Sequence, residues 1–176
     1  YQSIPRLRYE GTWRDRPVSG TAWMDHQWGA VIPLRDARWD WHGLHLSDGT
    51  DLMLYALSRP DGTHPCVQVT TTDAAGTTRA LPEARLTPRS TWRSAQGRLY
   101  VVGWTLTLPG DSLTIRPLRL DQELVTIPGI PYWEGPVVVE GTFRGRAVRG
   151  VGMGEHLPWP EGVPSAPACG TRGATR

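Results

Sequence analysis

The chain has 176 residues and a mass of 19.5 kDa, which suits a single domain that buries roughly two thirds of its unfolded surface without metals or disulfides. Its 19 cations are all arginines, scattered along the chain against 17 acidic residues, so no nucleic-acid patch is indicated. The absence of lysine excludes Schiff-base and lysine-nucleophile mechanisms.

The cysteines and the apolar runs bound the protein class further. Cys66 and Cys169 show no Cys/His spacing typical of a zinc site, and their separation signals no disulfide framework. No apolar run approaches the ~18 residues needed to cross a bilayer, so no membrane span is predicted. We therefore expect a cytoplasmic protein, with the redox state of the two thiols left open.

Nine segments have the period-two alternation or the β-branched and aromatic content typical of strands, and they recur about every ten residues along the chain. Turn residues separate them, for example Asp48-Gly49. One short helical turn is predicted between residues 80 and 83. The predicted strands are Arg6 to Thr12, Thr21 to Trp28, Trp39 to Leu46, Leu52 to Ser58, Cys66 to Thr72, Leu99 to Leu108, Leu113 to Leu120, Val137 to Phe143 and Ala147 to Glu155.

This pattern predicts an all-β fold. A meander of eight or more antiparallel strands must protect its edges, and closing on itself is the usual solution. We therefore expect an antiparallel up-and-down β-barrel of about 8–10 strands, wide enough to enclose one ligand. The barrel is assigned to residues 1–159, and residues 160–176, rich in Pro, Gly and Ala, are expected to form a flexible tail.

The segment TAWMDHQWG is the first candidate site, because it sets an acid and an imidazole among indole rings. Strand geometry points Trp23 and Asp25 to one face and His26 and Trp28 to the other. In an apolar lumen Asp25 would serve as a proton donor. The alternative pairs Asp25 with an arginine or with backbone amides, and makes His26 a structural histidine at the rim.

A second cluster follows at WDWHGLHL. Trp41 is predicted either as a cavity wall or as core, and His42 as a ligand contact on the opposite parity. Tyr55 could place its hydroxyl in the lumen or could satisfy a backbone carbonyl. Glu134 lies between Trp133 and Gly135, where a carboxylate is costly unless it pairs with an arginine such as Arg116 or is used in chemistry.

These motifs, with PYWEGPVVVEG and VRGVGMGEHLPW, resemble the lipocalin-like family of carotenoid 1,2-hydratases, AttH-like proteins and natural-product pericyclic cyclases. The resemblance runs from about Arg6 to Trp159. It implies a lipocalin-like barrel, usually one of two, of which this chain resembles the second. It also implies pocket roles for Asp25, Trp28 and Glu155, whereas Met153 and Trp159 stand where relatives have tyrosines.

From this resemblance we expect a cofactor-independent pericyclic cyclase, which folds a linear polyketide-type polyene for a Diels–Alder cycloaddition during antibiotic biosynthesis. A hydratase of isoprenoid polyenes is the alternative, and a non-catalytic carrier is the third. No metal is predicted, and a companion barrel or a homo-oligomer is the expected partner. The expected catalytic residues are Asp25, Glu155 and His26; those expected to bind substrate are Trp23, Trp28, Trp41, His42, Tyr55, Trp104, Trp133, Glu134 and Met153.

Overall fold

The computed structural model describes residues 1–28, 38–59, 66–125 and 130–159. The chain divides into two compact units, Tyr1–Val31 and Ile32–Arg176. The first unit contains a β-hairpin, in which β1 (Gln2–Trp13) pairs antiparallel with β2 (Arg16–His26). Its turn uses Arg14 and Asp15, both with positive φ, which is the backbone geometry that matches the twist of a two-residue hairpin.

The second unit contains a ten-stranded antiparallel sheet. Strands that are consecutive in the chain are neighbours in the sheet, with three exceptions: β6 and β7 do not pair, β9 pairs with β11 rather than with β10, and β12 pairs with β3. Their bounds are β3 (Arg38–Leu46), β4 (Asp51–Ser58), β5 (Cys66–Thr72), β6 (Thr78–Ala80), β7 (Arg85–Arg93), β8 (Leu99–Leu108), β9 (Asp111–Pro117), β10 (Glu123–Val125), β11 (Pro131–Phe143) and β12 (Arg146–His156).

The order of strands across the sheet is β6-β5-β4-β3-β12-β11-β9-β8-β7, and β10 pairs with β11 beyond the end of β9. The sheet is thus an up-and-down meander curled into a half-barrel, with β6 and β7 at its two edges. The described ranges contain strands and turns and no helix. Within them there is accordingly no helix long and apolar enough to cross a membrane. The predicted fold class, an all-β antiparallel lipocalin-like barrel, is confirmed.

Short-range chemistry forms the turns. Between β3 and β4, Gly49 takes a positive φ and the Asp48 carboxylate accepts a hydrogen bond from the Thr50 amide, as the predicted Asp-Gly turn requires. Between β11 and β12, Arg144 and Gly145 both have positive φ, and the Asp111 carboxylate accepts their two amide hydrogens. A distant acid therefore fixes the second turn.

Three strands were not predicted from the sequence. Strand β7 carries Pro88 and three arginines, and its pairing with β8 shifts register around residue 90, so it lacks clean alternation. Strands β6 and β10 have three residues each. Strand β11 begins at Pro131, six residues earlier than predicted, and residues 80–83 end β6 and enter a turn rather than a helix.

One face of the sheet carries the hydrophobic core. Its largest fully buried aliphatic residues come from both halves of the meander: Leu44, Leu52, Leu54, Leu86, Leu106, Leu113 and Ile115. We call this side the core face and the opposite side the outer face. Cys66 is disulfide-bonded, a redox state that the sequence had left open. Cys169 and the predicted tail lie outside the described residues.

Gly152 provides a test of the β3–β12 pairing. A Cβ built on Gly152 would overlap the carbonyl oxygen of Gly43, which is backbone and cannot move aside. We expect Gly152→Ala to lower the free energy of unfolding by more than about 2 kcal/mol in urea titrations. Val151→Ala, at the exposed neighbouring position, should change it by less than about 1 kcal/mol. Equal effects would contradict the pairing.

Candidate functional site

The register between β3 and β12 places two groups of functional side chains back to back. Asp40 lies opposite His156, and Trp41 lies opposite Glu155. Successive residues of a strand point to opposite faces, while directly paired residues share one. Asp40 and His156 are therefore on the core face, and Trp41 and Glu155 are on the outer face.

The outer-face cluster comprises Trp41, Tyr55, Tyr132, Glu134 and Glu155. Cross-strand pairing aligns four of them in one row, because Tyr55 lies opposite Trp41, Trp41 opposite Glu155, and Glu155 opposite Glu134. Tyr132 lies two residues before Glu134 and faces the same way. The row spans four adjacent strands.

Two carboxylates thus lie directly opposite each other on adjacent strands, an arrangement that is unfavourable when both are ionised. Burial, then the charges of Glu134 and Glu155, raise the pKa of Tyr132, whose hydroxyl donates a hydrogen bond to Glu134. Burial, then Glu155, likewise raise the pKa of Tyr55. Both phenols therefore remain protonated donors beside the acid pair at neutral pH.

Apolar groups flank these acids. Trp41 is only 7% exposed, whereas Met153, which lies two residues before Glu155 on the same face, is 39% exposed. The proposed pairing of Glu134 with Arg116 is wrong, since Arg116 binds Glu140 at 3.0 Å. An acid pair with phenol donors and apolar neighbours can hold or transfer one proton next to an apolar molecule.

The core-face cluster comprises Asp40, His42, Trp104, Trp133 and His156. The Asp40 carboxylate, 1% exposed, accepts hydrogen bonds from His156 Nδ1 at 3.0 Å and from the indole of Trp159 at 3.0 Å. Arg38 lies 3.5 Å from the same carboxylate. Burial lowers the pKa of the Arg38 guanidinium, and the charge of Asp40 partly offsets this effect.

The rings of this cluster pack against one another. His156 is stacked on Trp133, with centroids 5.2 Å apart, and His42 lies 4.9 Å from His156. Burial, and secondarily the neighbouring His156, lower the pKa of His42 well below its usual value, so His42 is neutral. Trp133 donates its indole hydrogen to the Leu120 carbonyl at 2.6 Å. This indole therefore has a structural role.

The structure brings some predicted site residues together and separates others. Five lie on the outer face and three lie fully buried on the core face. The sequence analysis did not identify Arg38, Asp40 and His156 as a network. Asp40 and His42 are two residues apart on β3, and this spacing was a signal that both face the same side of the sheet. The outer-face residues are Trp41, Tyr55, Glu134, Met153 and Glu155; the core-face residues are His42, Trp104 and Trp133.

The hairpin of the first unit carries the remaining predicted residues. Asp25 Oδ1 accepts hydrogen bonds from the Ser3 hydroxyl at 2.5 Å and from the Trp23 indole at 2.8 Å, rather than from an arginine or a backbone amide. The rings of His26 and Trp28 are 5.0 Å apart. The expected parity, Trp23 with Asp25 and His26 with Trp28, is therefore present.

The cost of breaking the buried network can be measured with Asp40→Asn. The new amide would direct a donor at the donors of His156, Trp159 or Arg38, so we expect a loss of about 3–5 kcal/mol in the free energy of unfolding. Glu140→Gln removes the exposed pair with Arg116 and should cost less than about 1 kcal/mol. A small effect of Asp40→Asn would contradict the role of the network.

His42 predicts an acid-dependent loss of stability. Its folded-state pKa lies below 6.5, so only the unfolded chain takes up a proton as the pH falls through that value. The contribution of neutral His42 to the free energy of unfolding is fully present above pH ~6.5. Below this pH it decreases by up to about 1.4 kcal/mol per pH unit. Unfolding of the wild type and of His42→Gln at pH 7.5 and 5.5 should show a smaller decrease for the variant. An equal decrease in the free energy of unfolding of the wild type and the variant would contradict this role of His42.

Comparisons with known proteins agree with the fold. The AttH-like family model matches residues 1–155. An AttH protein from Nitrosomonas europaea has a similar crystal structure, with a TM-score of 0.71 and 30% identity over 88% of this chain and 51% of that one. Kievitone hydratase from Nectria haematococca has a TM-score of 0.70 and 24% identity over 89% and 52% of the two chains.

No match was found among curated proteins. The chain spans about half the length of the two solved relatives. The described ranges contain no group of three His, Cys, Asp or Glu side chains placed to hold a metal ion. The family model covers most of the sequence, and the motifs around Asp25, Glu134 and Glu155 lie within it. The chain therefore belongs to the AttH-like family.

Proposed function

We propose that this chain forms part of a cofactor-independent hydratase, which adds water to a carbon–carbon double bond of an apolar, unsaturated substrate. The observation that carries this proposal is the Glu134–Glu155 pair, directly opposed across two strands beside Trp41 and Tyr55. A structural relative is named for hydration of kievitone, which supports the reaction class. A companion barrel or a second copy of the chain is the proposed partner, in a cytoplasmic enzyme.

The acid pair supplies both proton steps. The mechanism requires one carboxyl of the pair to carry a proton and the other to be ionised. The protonated carboxyl gives its proton to one alkene carbon, and the resulting cation forms at the other carbon. A water molecule attacks that carbon while the facing carboxylate accepts its released proton, so the pair ends with one proton again.

A second candidate is the cyclisation of a linear polyene, and the aromatic half of the outer-face cluster favours it. Trp41, Tyr55 and Met153 offer rings and a thioether along which a flexible chain can fold. Such a reaction needs preorganisation and one hydrogen-bond donor, which the Tyr132 hydroxyl could supply. No proton transfer is required, so this candidate does not need the acid pair.

The hairpin residues remain part of the proposal. Asp25 has its carboxylate held by Ser3 and Trp23, which fixes its orientation as an acceptor. We propose that, within the hairpin, Asp25 and His26 are catalytic groups and that Trp23 and Trp28 contact substrate. These roles are tested by substitution, independently of the outer-face residues.

Product mass distinguishes the candidates. The protein that contains this chain is incubated in H₂¹⁸O with a panel of conjugated apolar polyenes, and the products are analysed by mass spectrometry. Hydration predicts the mass gain of one labelled water. An isomer of unchanged mass would replace the hydratase proposal with cyclisation. Unaltered ligand that co-elutes with the protein would overturn both enzymatic candidates and support a non-catalytic carrier instead.

Matched substitutions then locate the acid. We expect Glu155→Gln and Glu134→Gln to lower kcat for hydration by about 10²-fold or more, as for loss of a general acid or base. Glu140→Gln, which removes an exposed acid from the same strand as Glu134, should leave kcat within about twofold. If Asp25→Asn abolishes hydration while Glu155→Gln and Glu134→Gln retain it, the outer-face assignment is wrong.

A further inference from the structure

Strand β10 is held on both sides, although it has only three residues. On one side its backbone pairs with β11, and Glu123 lies opposite Trp133. On the other side the Glu123 side chain reaches the start of β8, where its Oε1 accepts hydrogen bonds from the Tyr100 hydroxyl at 2.7 Å and from Arg98 at 3.2 Å. Ser94, in the turn before β8, also donates to this carboxylate. We call these three hydrogen bonds to Glu123 the β10 latch.

The latch fixes β10 against β8, because the rest of the strand buries little surface. The Glu123 side chain is 7% exposed, whereas Leu124 and Val125 are 43% and 63% exposed. Burial raises the pKa of Glu123, but the hydrogen bonds from the three donors of the latch outweigh burial and lower this pKa below its usual value. Glu123 is therefore a carboxylate at neutral pH, and hydrogen bonds to an ionised acceptor are stronger than those to a neutral one.

The other side of β10 is connected to Glu134, one of the two acids assigned to proton transfer. The carbonyl of Gln122, the residue before Glu123, accepts the amide hydrogen of Glu134 at 3.1 Å. Leu124 lies opposite Tyr132, so both side chains are on the outer face, and the Tyr132 hydroxyl donates to Glu134. The backbone and the side chain of Glu134 are thus both bound to groups that contact the β10 segment.

We propose that Glu123 is a positioning residue for the hydration: it holds β10 against β8 and thereby fixes the position of Glu134. Glu123 shares the core face with its partner Trp133, on the side of the sheet opposite to Glu134, and acts through the Gln122 carbonyl. This inference rests on the proposed function, since Glu134 acts there on the substrate. Opening the latch should impair proton transfer more than substrate binding, because the apolar residues beside the acid pair lie on other strands.

Hydrogen exchange in the full chain tests the latch without turnover. Glu123→Ala removes the acceptor, whereas Glu123→Gln keeps an uncharged Oε1 acceptor. We expect the amide of Glu134 to exchange about tenfold faster in Glu123→Ala and to be partly protected again in Glu123→Gln. The amide of Val139, which pairs with β9 and β12 further along β11, should exchange as in the wild type. Unchanged exchange at Glu134, or an equal increase at Val139, would overturn the proposal.

Turnover separates positioning from a general structural role. We expect Glu123→Ala to lower kcat for hydration by about tenfold and to change KM by less than about twofold. In a Glu134→Gln background the same substitution should lower kcat no further, since the group that Glu123 positions is already lost. An equal decrease of kcat in both backgrounds, or a higher KM with kcat unchanged, would contradict a positioning role.

A second variant keeps these measurements decisive. If Glu123→Ala does not fold, Tyr100→Phe replaces it, because it removes one donor of the latch and leaves the sequence of β10 unaltered. A wild type that hydrates none of the polyenes contradicts the proposed function instead. Hydrogen exchange then still decides whether Glu123 positions Glu134, so the two failures are distinguishable.

Discussion

The pairing of β3 with β12 is the constraint on which both clusters depend. These strands are more than a hundred residues apart, and a slip of one residue would exchange the two faces of a strand. Alternation of apolar residues alone does not prevent this slip, because β3 carries aromatic rings of both parities. The buried bond between Asp40 and His156 forms in one register, and it therefore specifies which face becomes the core.

Residues beyond the strand ends strengthen this register. Arg38 donates hydrogen bonds to the carbonyls of Leu157 and Pro158 and lies 3.7 Å from the ring centroid of Trp159, so the chain after β12 is held against the start of β3. Burying ions costs solvation free energy, which these contacts offset only when all of them are made. The network thus contributes specificity of register more than net stability.

The sequence predicted most of the sheet because period-two alternation is local. It missed β7, where Pro88 and a shift in register interrupt the alternation, and β10, whose three residues pair with β11 across from Trp133. The alternation of side chains along a strand also indicated that Trp41 and His42 lie on opposite faces. It could not identify which of the two lies on the core face. That choice depends on Asp40 meeting His156, a contact between residues 116 apart that no spacing rule reveals.

Glu155 and His156 connect the two faces through a single peptide bond. Because Asp40 and Trp133 fix His156 in the core, they also fix the backbone from which Glu155 projects. Glu134 is held in the same way, since Trp133 beside it donates to Leu120 and packs on His156. A reaction without a cofactor relies on positioned groups, and a positional error near 1 Å is costly. Carboxylates carried on strands of fixed register meet this requirement better than carboxylates on loops.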